Sequence, residues 1–355
     1  MRKARWLAKW RNSAEKPALY HVISRVVDRR FVLGTEEKEK FRTLMRMQEN
    51  FTGCRVLSYC LMDNHFHLLL EVPPMAAEGI SDKELLKRLS ALYGEAFVAD
   101  VAQELAEARA RDYTSESGRD EAVAAIHQRF TYRMQDLSQF MKGLLQRFTQ
   151  WFNRIHTRTG RLWEDRFKSV IVEDGVAART ISAYIDLNPV RAGIVKEPAG
   201  YRWSSYGEAI GGGVQGNGKK AREGLVRAYL CDRGVGFEVG KWQEVSRLYR
   251  RHMGLALDRN AGSVKVPESA EMQKSESGEN EAALQDLGVA KMLRCRIRYF
   301  TDGAVIGSRV FVNEAFASAR ERFGPKRCDG ARKMRGAAAA ERQLWSLRDL
   351  RKGIA

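Results

Sequence analysis

The stretch Tyr59 to Val72, YCLMDNHFHLLLEV, is an apolar run broken at its centre by Asp63, Asn64, His65 and His67. Read as an extended strand, it puts alternate side chains on a common face, so His65 and His67 project together and Phe66 enters the opposite layer. Two imidazoles side by side suit a divalent metal. A histidine on an apolar strand is also commonly a hydrogen-bonded core residue, and the pair alone does not separate the two uses. Further ligands and a nucleophile elsewhere in the chain decide between them.

The 355 residues can form about two or three domains and bury a sizeable core. Lys and Arg number 61 against 44 Asp and Glu, a formal net charge of +17 spread along the sequence. Such a surplus points to a polyanionic partner, nucleic acid before a membrane surface. Cys54, Cys60, Cys231, Cys295 and Cys328 are odd in number and form no CxxC pair, which fits reduced thiols and neither a disulfide framework nor a zinc knuckle. No window reaches the roughly 18 uninterrupted apolar residues of a membrane span. The basic N-terminus, MRKARWLAKWRNSAEK, lacks an apolar core and a small-residue cleavage site. These features predict a soluble, cytoplasmic and nucleoid-associated protein.

Residues 1–17 form a basic arm with Arg2, Lys3, Arg5, Lys9 and Arg11, expected either to lack order or to meet phosphate once bound. Ala18 to Leu33 is β-branched and alternating, a first strand. Thr35 then caps a helix with Phe41, Leu44, Met45 and Met47 at apolar positions, and Gly53 closes it. A second strand starts at Arg55 and runs into the histidine segment as far as Pro73 and Pro74. The mixed-charge stretch of about 74–135 reads as a helical insertion. Leu137 to Ile155 is an amphipathic helix whose stripe of Phe140, Leu144, Phe148, Trp151 and Phe152 is core.

That helix leads into HTRTGRLWEDRFKSVIVED, where Arg158, Arg161, Arg166 and Lys168 alternate with Trp163 and Phe167. Basic residues interleaved with aromatics suit a strand of nucleic acid, with guanidinium groups on phosphates and rings on splayed bases. A solvated face with a buried Trp is the structural alternative. Val170, Ile171 and Val172 form a third strand. Val176 to Leu187 is a helix that Pro189 ends, and Tyr184 and Asn188, four residues apart, share a face if its last turn holds. A Tyr on a helix is by itself most often a packing residue. Beyond it lie a linker and helical extension over 208–260, a flexible connector over 261–282, and a basic accessory module over 283–355 with a helix around Leu287 to Phe300.

His65, His67 and the Asn188 amide would hold one Mg²⁺ or Mn²⁺ and leave positions for phosphate oxygens and water. Tyr184, one helical turn before Asn188, would be carried to the same cation and attack phosphorus. Through NHFHLLLE, GRLWEDRFKS and AYIDLNPVRAGIV, over about residues 17–207, the chain resembles the single-tyrosine HUH transposases of insertion sequences, most closely the REP-associated tyrosine transposases. The resemblance implies an α/β fold with a ferredoxin-like antiparallel sheet, the HUH endonuclease fold, in a catalytic domain over 18–207, followed by a helical C-terminal accessory region.

It also assigns the metal to His65 and His67, the nucleophile to Tyr184 and the polar residue one turn later to Asn188. The implied substrate is single-stranded DNA folded as a hairpin at palindromic repeats, cut through a covalent 5′-phosphotyrosine with a free 3′-OH on the other product. Arg158, Arg161, Arg166 and Lys168 are candidates for DNA contact. The insertion is longer than the family's usual connection, and residues after about 260 lie outside the shared core, which leaves hairpin geometry and the choice between monomer and homodimer open. Two other classes fit the charge: a nucleic-acid-binding regulator that keeps the fold without chemistry, and a metal nuclease that uses water as nucleophile.

Overall fold

The computed structural model describes residues 5–12, 16–74, 79–111, 116–212, 217–230, 239–257, 300–301, 303–333 and 344–347. In order along the chain come β1 (Ala18–Arg25), α1 (Thr35–Thr52), β2 (Arg55–Leu61), β3 (His65–Val72), α2 (Asp82–Leu89), α3 (Glu95–Ala110), α4 (Glu116–Thr131), α5 (Leu137–Ile155) and β4 (Lys168–Val172). They are followed by α6 (Val176–Asp186), the single turn α7 (Asn188–Arg191), α8 (Ser205–Gly211), α9 (Asn217–Leu230), α10 (Trp242–Leu257), β5 (Val305–Gly307), α11 (Arg309–Ser318), β6 (Arg332–Lys333) and β7 (Trp345–Leu347).

β1 and β3, buried at seven of their eight residues each, form the centre of the sheet. β1 pairs antiparallel with β3 on one side and β4 on the other, and β2 pairs antiparallel with β3. The order β2-β3-β1-β4, reached through α1 and α5, is the ferredoxin-like split β-α-β arrangement that the resemblance implied. Phe66, Leu68 and Leu70 enter the layer of α1 and α5, where the Phe41 ring lies 4.8 Å from Phe66 and 5.1 Å from Phe148. Leu69, Val170 and Val172 enter the opposite layer, under α6 and α9. There α9 approaches β2 so closely that a Cβ on Gly224 would sit 2.6 Å from the Val56 carbonyl oxygen.

Several boundaries differ from the sequence expectation for physical reasons. The run Tyr59 to Val72 is a hairpin, β2 and β3, because the Asp63 and Asn64 carbonyls accept from Val32, Leu33 and Val26 instead of continuing a ladder. β1 ends at Arg25, since Val27–Arg29 turn tightly with Asp28 and Arg29 at φ 56° and 55°. Gly34, not Thr35, is the N-cap of α1. The insertion is more than an exposed excursion: Leu85, Leu89, Val101, Leu105, Val123, Ile126 and Phe130 form a core of their own against Phe51 at the end of α1.

The described part of the N-terminal arm packs on the body instead of standing off it. Trp6 and Ala8 are buried, and the Arg5 guanidinium lies 3.4 Å over the Phe167 ring. The C-terminal region, expected as a helical accessory, holds α11 and also three strands. β5 pairs parallel with β4, and β7 and β6 follow antiparallel, so among the described residues the sheet has seven strands. These strands cover the β4 edge, whose backbone groups would otherwise lack partners. The predicted connector 261–282, most of the helix around Leu287 to Phe300 and the end of the chain lie outside the described residues. Among the described residues no helix is long and apolar enough to cross a membrane.

Candidate active site

Register brings three histidines onto the sheet face that α6 covers. His67 sits opposite Ile23 and His21 opposite Leu69, so His21 and His67 are diagonal neighbours on one face. His21 Nδ1 lies 2.8 Å from the Phe300 carbonyl oxygen, and His21 Nε2 lies 3.0 Å from His67 Nδ1. A carbonyl only accepts, so His21 donates from Nδ1 and, as a neutral imidazole, must accept at Nε2. His67 therefore carries its proton on Nδ1 and keeps a lone pair on Nε2. His65 reaches the same state by another route: its Nδ1 donates to Asn64 Oδ1 at 2.7 Å, while Asn64 Nδ2 donates to the Arg29 carbonyl at 3.0 Å and so fixes the amide's orientation.

Burial keeps these rings neutral. It lowers His21 and His65 to about 4, with Arg25 adding to the effect on His65. His67 is pushed well below the usual imidazole range, by burial first and then by His21, His65, Arg191 and Arg25. Neutral imidazoles with free Nε2 lone pairs are the ligating form. The donor set thus fits a divalent cation at His65 and His67, although no group of three His, Cys, Asp or Glu able to hold one lies among the described residues. His21 spends both nitrogens on Phe300 and His67 and supports the site from behind.

Tyr184 lies against this pair. Its ring centroid is 5.8 Å from His67, 5.9 Å from His21 and 4.8 Å from Phe300, and the Arg191 guanidinium stands 4.7 Å over it. The helix that carries it is pinned two residues later, where the buried Asp186 carboxylate accepts from the Tyr206 amide at 3.0 Å and the Tyr249 hydroxyl at 2.7 Å. Asn188 holds the end of the same helix, its Nδ2 donating to the Tyr184 and Ile185 carbonyls at 3.0 and 3.2 Å. Only its amide oxygen remains to face a cation, and no hydrogen bond joins it to His65 or His67 among the described residues.

Arg158, Arg161 and Arg166 lie on the segment between α5 and β4, and Lys168 is the first residue of β4. Arg161, Arg166 and Lys168 are exposed, and Arg158 is half-buried over the Phe152 ring. Lys168 stands opposite Ile23, two strands from His67 on the same face. The aromatics between these cations do not offer stacking surfaces: Trp163 and Phe167 are buried, and Trp163 Nε1 donates to Thr149. Arg25, opposite His65, and Arg191 add positive charge nearer the site.

Residues 16–91 match the family described as IS200-like transposases. The match spans β1 to α2 and takes in all three histidines, and it ends before Tyr184. A solved structure described as a REP-associated tyrosine transposase bound to a REP hairpin aligns at 13% identity over 59% of this chain and 90% of that one, with a TM-score of 0.36. No curated protein matches.

His21, Arg25, Arg191 and Phe300 are the site residues that sequence reasoning passed over. For His21 a signal existed, a lone imidazole in an alternating apolar strand, the same feature that singled out His65 and His67. Phe300 contributes a main-chain oxygen, which no side-chain pattern announces.

Proposed function

We propose that the chain is a metal-dependent DNA endonuclease and strand transferase that acts on single-stranded DNA folded as a hairpin at palindromic repeats, through a covalent 5′-phosphotyrosine at Tyr184. The observation that carries this reading is the Tyr184 ring beside His67, 5.8 Å between centroids, within one chain. His65 and His67 are the proposed metal ligands through Nε2, with Asn188 adding its amide oxygen. Two imidazole nitrogens suit Mn²⁺ better than Mg²⁺, which prefers oxygen.

A bound divalent cation supplies a Lewis acid to the scissile phosphate. The Tyr184 phenol gives up its proton and its oxygen forms the bond to phosphorus, while the 3′ oxygen leaves and takes up a proton as the free 3′-OH. The phosphotyrosine retains a phosphoester that a DNA 3′-OH can attack in turn, which rejoins the strand. Arg25 and Arg191 place positive charge where negative charge spreads over the phosphoryl oxygens. Arg158, Arg161, Arg166 and Lys168 are proposed to follow the DNA backbone away from the site.

The test is a labelled hairpin oligonucleotide incubated with the protein and Mn²⁺ and run on a denaturing gel. A protein–DNA adduct is expected, absent from Tyr184→Phe, which still binds the hairpin. Cleavage without an adduct would select the water-using nuclease, and binding without cleavage the regulator.

A further inference from the structure

Phe31 is 78% exposed, the largest exposure among the exposed large hydrophobic side chains described. It ends the sequence Asp28-Arg29-Arg30-Phe31, whose other three side chains are exposed too. Among the described residues neither Arg29 nor Arg30 has an ion-pair partner. A loop tip of this composition would ordinarily be mobile, yet here it is fastened on both sides. Val32 and Leu33 donate to the Asp63 carbonyl at 3.1 and 2.9 Å, and Val26 donates to the Asn64 carbonyl at 2.8 Å. On the other side Val27 donates to the Leu162 carbonyl at 2.9 Å, and Glu164 donates to the Arg25 carbonyl at 2.9 Å.

The tip thus lies between the turn that precedes His65 and the segment that carries Arg161 and Arg166. One side chain joins it directly to a proposed ligand: Asn64 donates to the Arg29 carbonyl and accepts from His65. Asp28 and Arg29 hold left-handed angles unusual for non-glycine residues, a conformation that persists only where the surroundings over-determine it.

We infer that Phe31 is a stacking platform for an unpaired base of the DNA strand entering the histidine–tyrosine site, with Arg29 and Arg30 on its flanking phosphates. An exposed ring among arginines is what a base and its two phosphates fit, and a pre-fastened loop loses little freedom on binding. Duplex DNA offers no unstacked base to such a ring, so the surface selects single strands. The inference rests on the DNA-cleaving reading for its location and is tested apart from it.

The probe is fluorescently labelled oligothymidylate, since stacking tolerates any base, read by anisotropy beside a duplex of the same length. Phe31→Ala is expected to weaken single-strand binding roughly tenfold, leave duplex binding unchanged and leave the melting temperature unchanged, the ring being exposed. Phe31→Tyr is expected to bind as the parent does and Phe31→Leu as the alanine variant does. Arg29→Ala and Arg30→Ala should each lower the salt slope by about 0.7. Phe31→Ala binding as tightly as the parent, leucine serving as well as tyrosine, or no parental binding to oligothymidylate would each overturn the platform. Adduct formation separates the two ideas. A parent that makes no adduct but loses strand affinity in Phe31→Ala keeps the platform and loses the mechanism, and the converse result does the opposite.

Discussion

His21 cannot be a ligand, because both its nitrogens are engaged, but it decides which nitrogen of His67 carries a proton. His21→Leu would leave the His67 Nδ1–H without its partner and let the ring reverse its tautomer. Outer partners of ligating histidines typically alter metal affinity by about 10–100-fold, and a loss in that range is expected for Mn²⁺ by titration calorimetry. Tyr184→Phe should leave that affinity unchanged. In the parent protein, nitrogen NMR should find both His65 and His67 protonated at Nδ1. His65 and His67 were legible because one strand displays them two residues apart. Their support was not, since His21 is 46 residues from His67 and the oxygen that orients it is 279 residues from His21.

Elements here are held to one another by a few buried charges as well as by apolar faces. Glu208 at 0% side-chain exposure on α8 meets Arg42 and Arg46 of α1 at 3.1 and 2.8 Å and accepts from the Tyr59 hydroxyl of β2 at 2.7 Å. Glu208→Ala would leave Arg42 with Glu39 and Arg46 with Glu49 but take the buried acceptor from the Tyr59 hydroxyl, so a loss of about 1–3 kcal/mol is expected in denaturant unfolding. On the apolar side, Phe148→Ala opens the aromatic cluster among Phe41, Trp163 and Phe152, and about 3–5 kcal/mol is expected by the same measurement. Periodicity showed α1, α5 and α6 because each repeats its apolar face over several turns. It did not show β5, β6 and β7, of three, two and three residues, which are too short to carry a period and exist through pairing.

For the molecule as a whole, buried titratable groups set opposing pH dependences. Burial raises Asp186 to about 7, against donors that lower it, so its contribution is greatest in acid and is lost as pH rises toward 7. Burial lowers His21, His65 and His252 to about 4, so their contribution is present above about 6.5 and is lost as pH falls toward 4. His67 is lowered by burial too and Glu173 raised, so four imidazoles stand against two carboxyls and the melting temperature of the metal-free protein is expected to rise between about pH 4 and 6.5. Asp186→Asn should steepen that rise, and a flatter profile would count against the assignment. The sequence by itself determined three strands, the helical insertion, the paired histidines and the helix that carries Tyr184, because each is a local pattern of side chains, while the ferredoxin-like strand order was implied by the family resemblance alone. Only the tertiary structure decided that Tyr184 lies beside His67, that His21 and a distant carbonyl set the histidine tautomer, and that Trp163 and Phe167 are core while Phe31 is bare. Those outcomes depend on strand register and on which edges pair, and contacts between residues far apart in the chain have no signature in the order of amino acids along it.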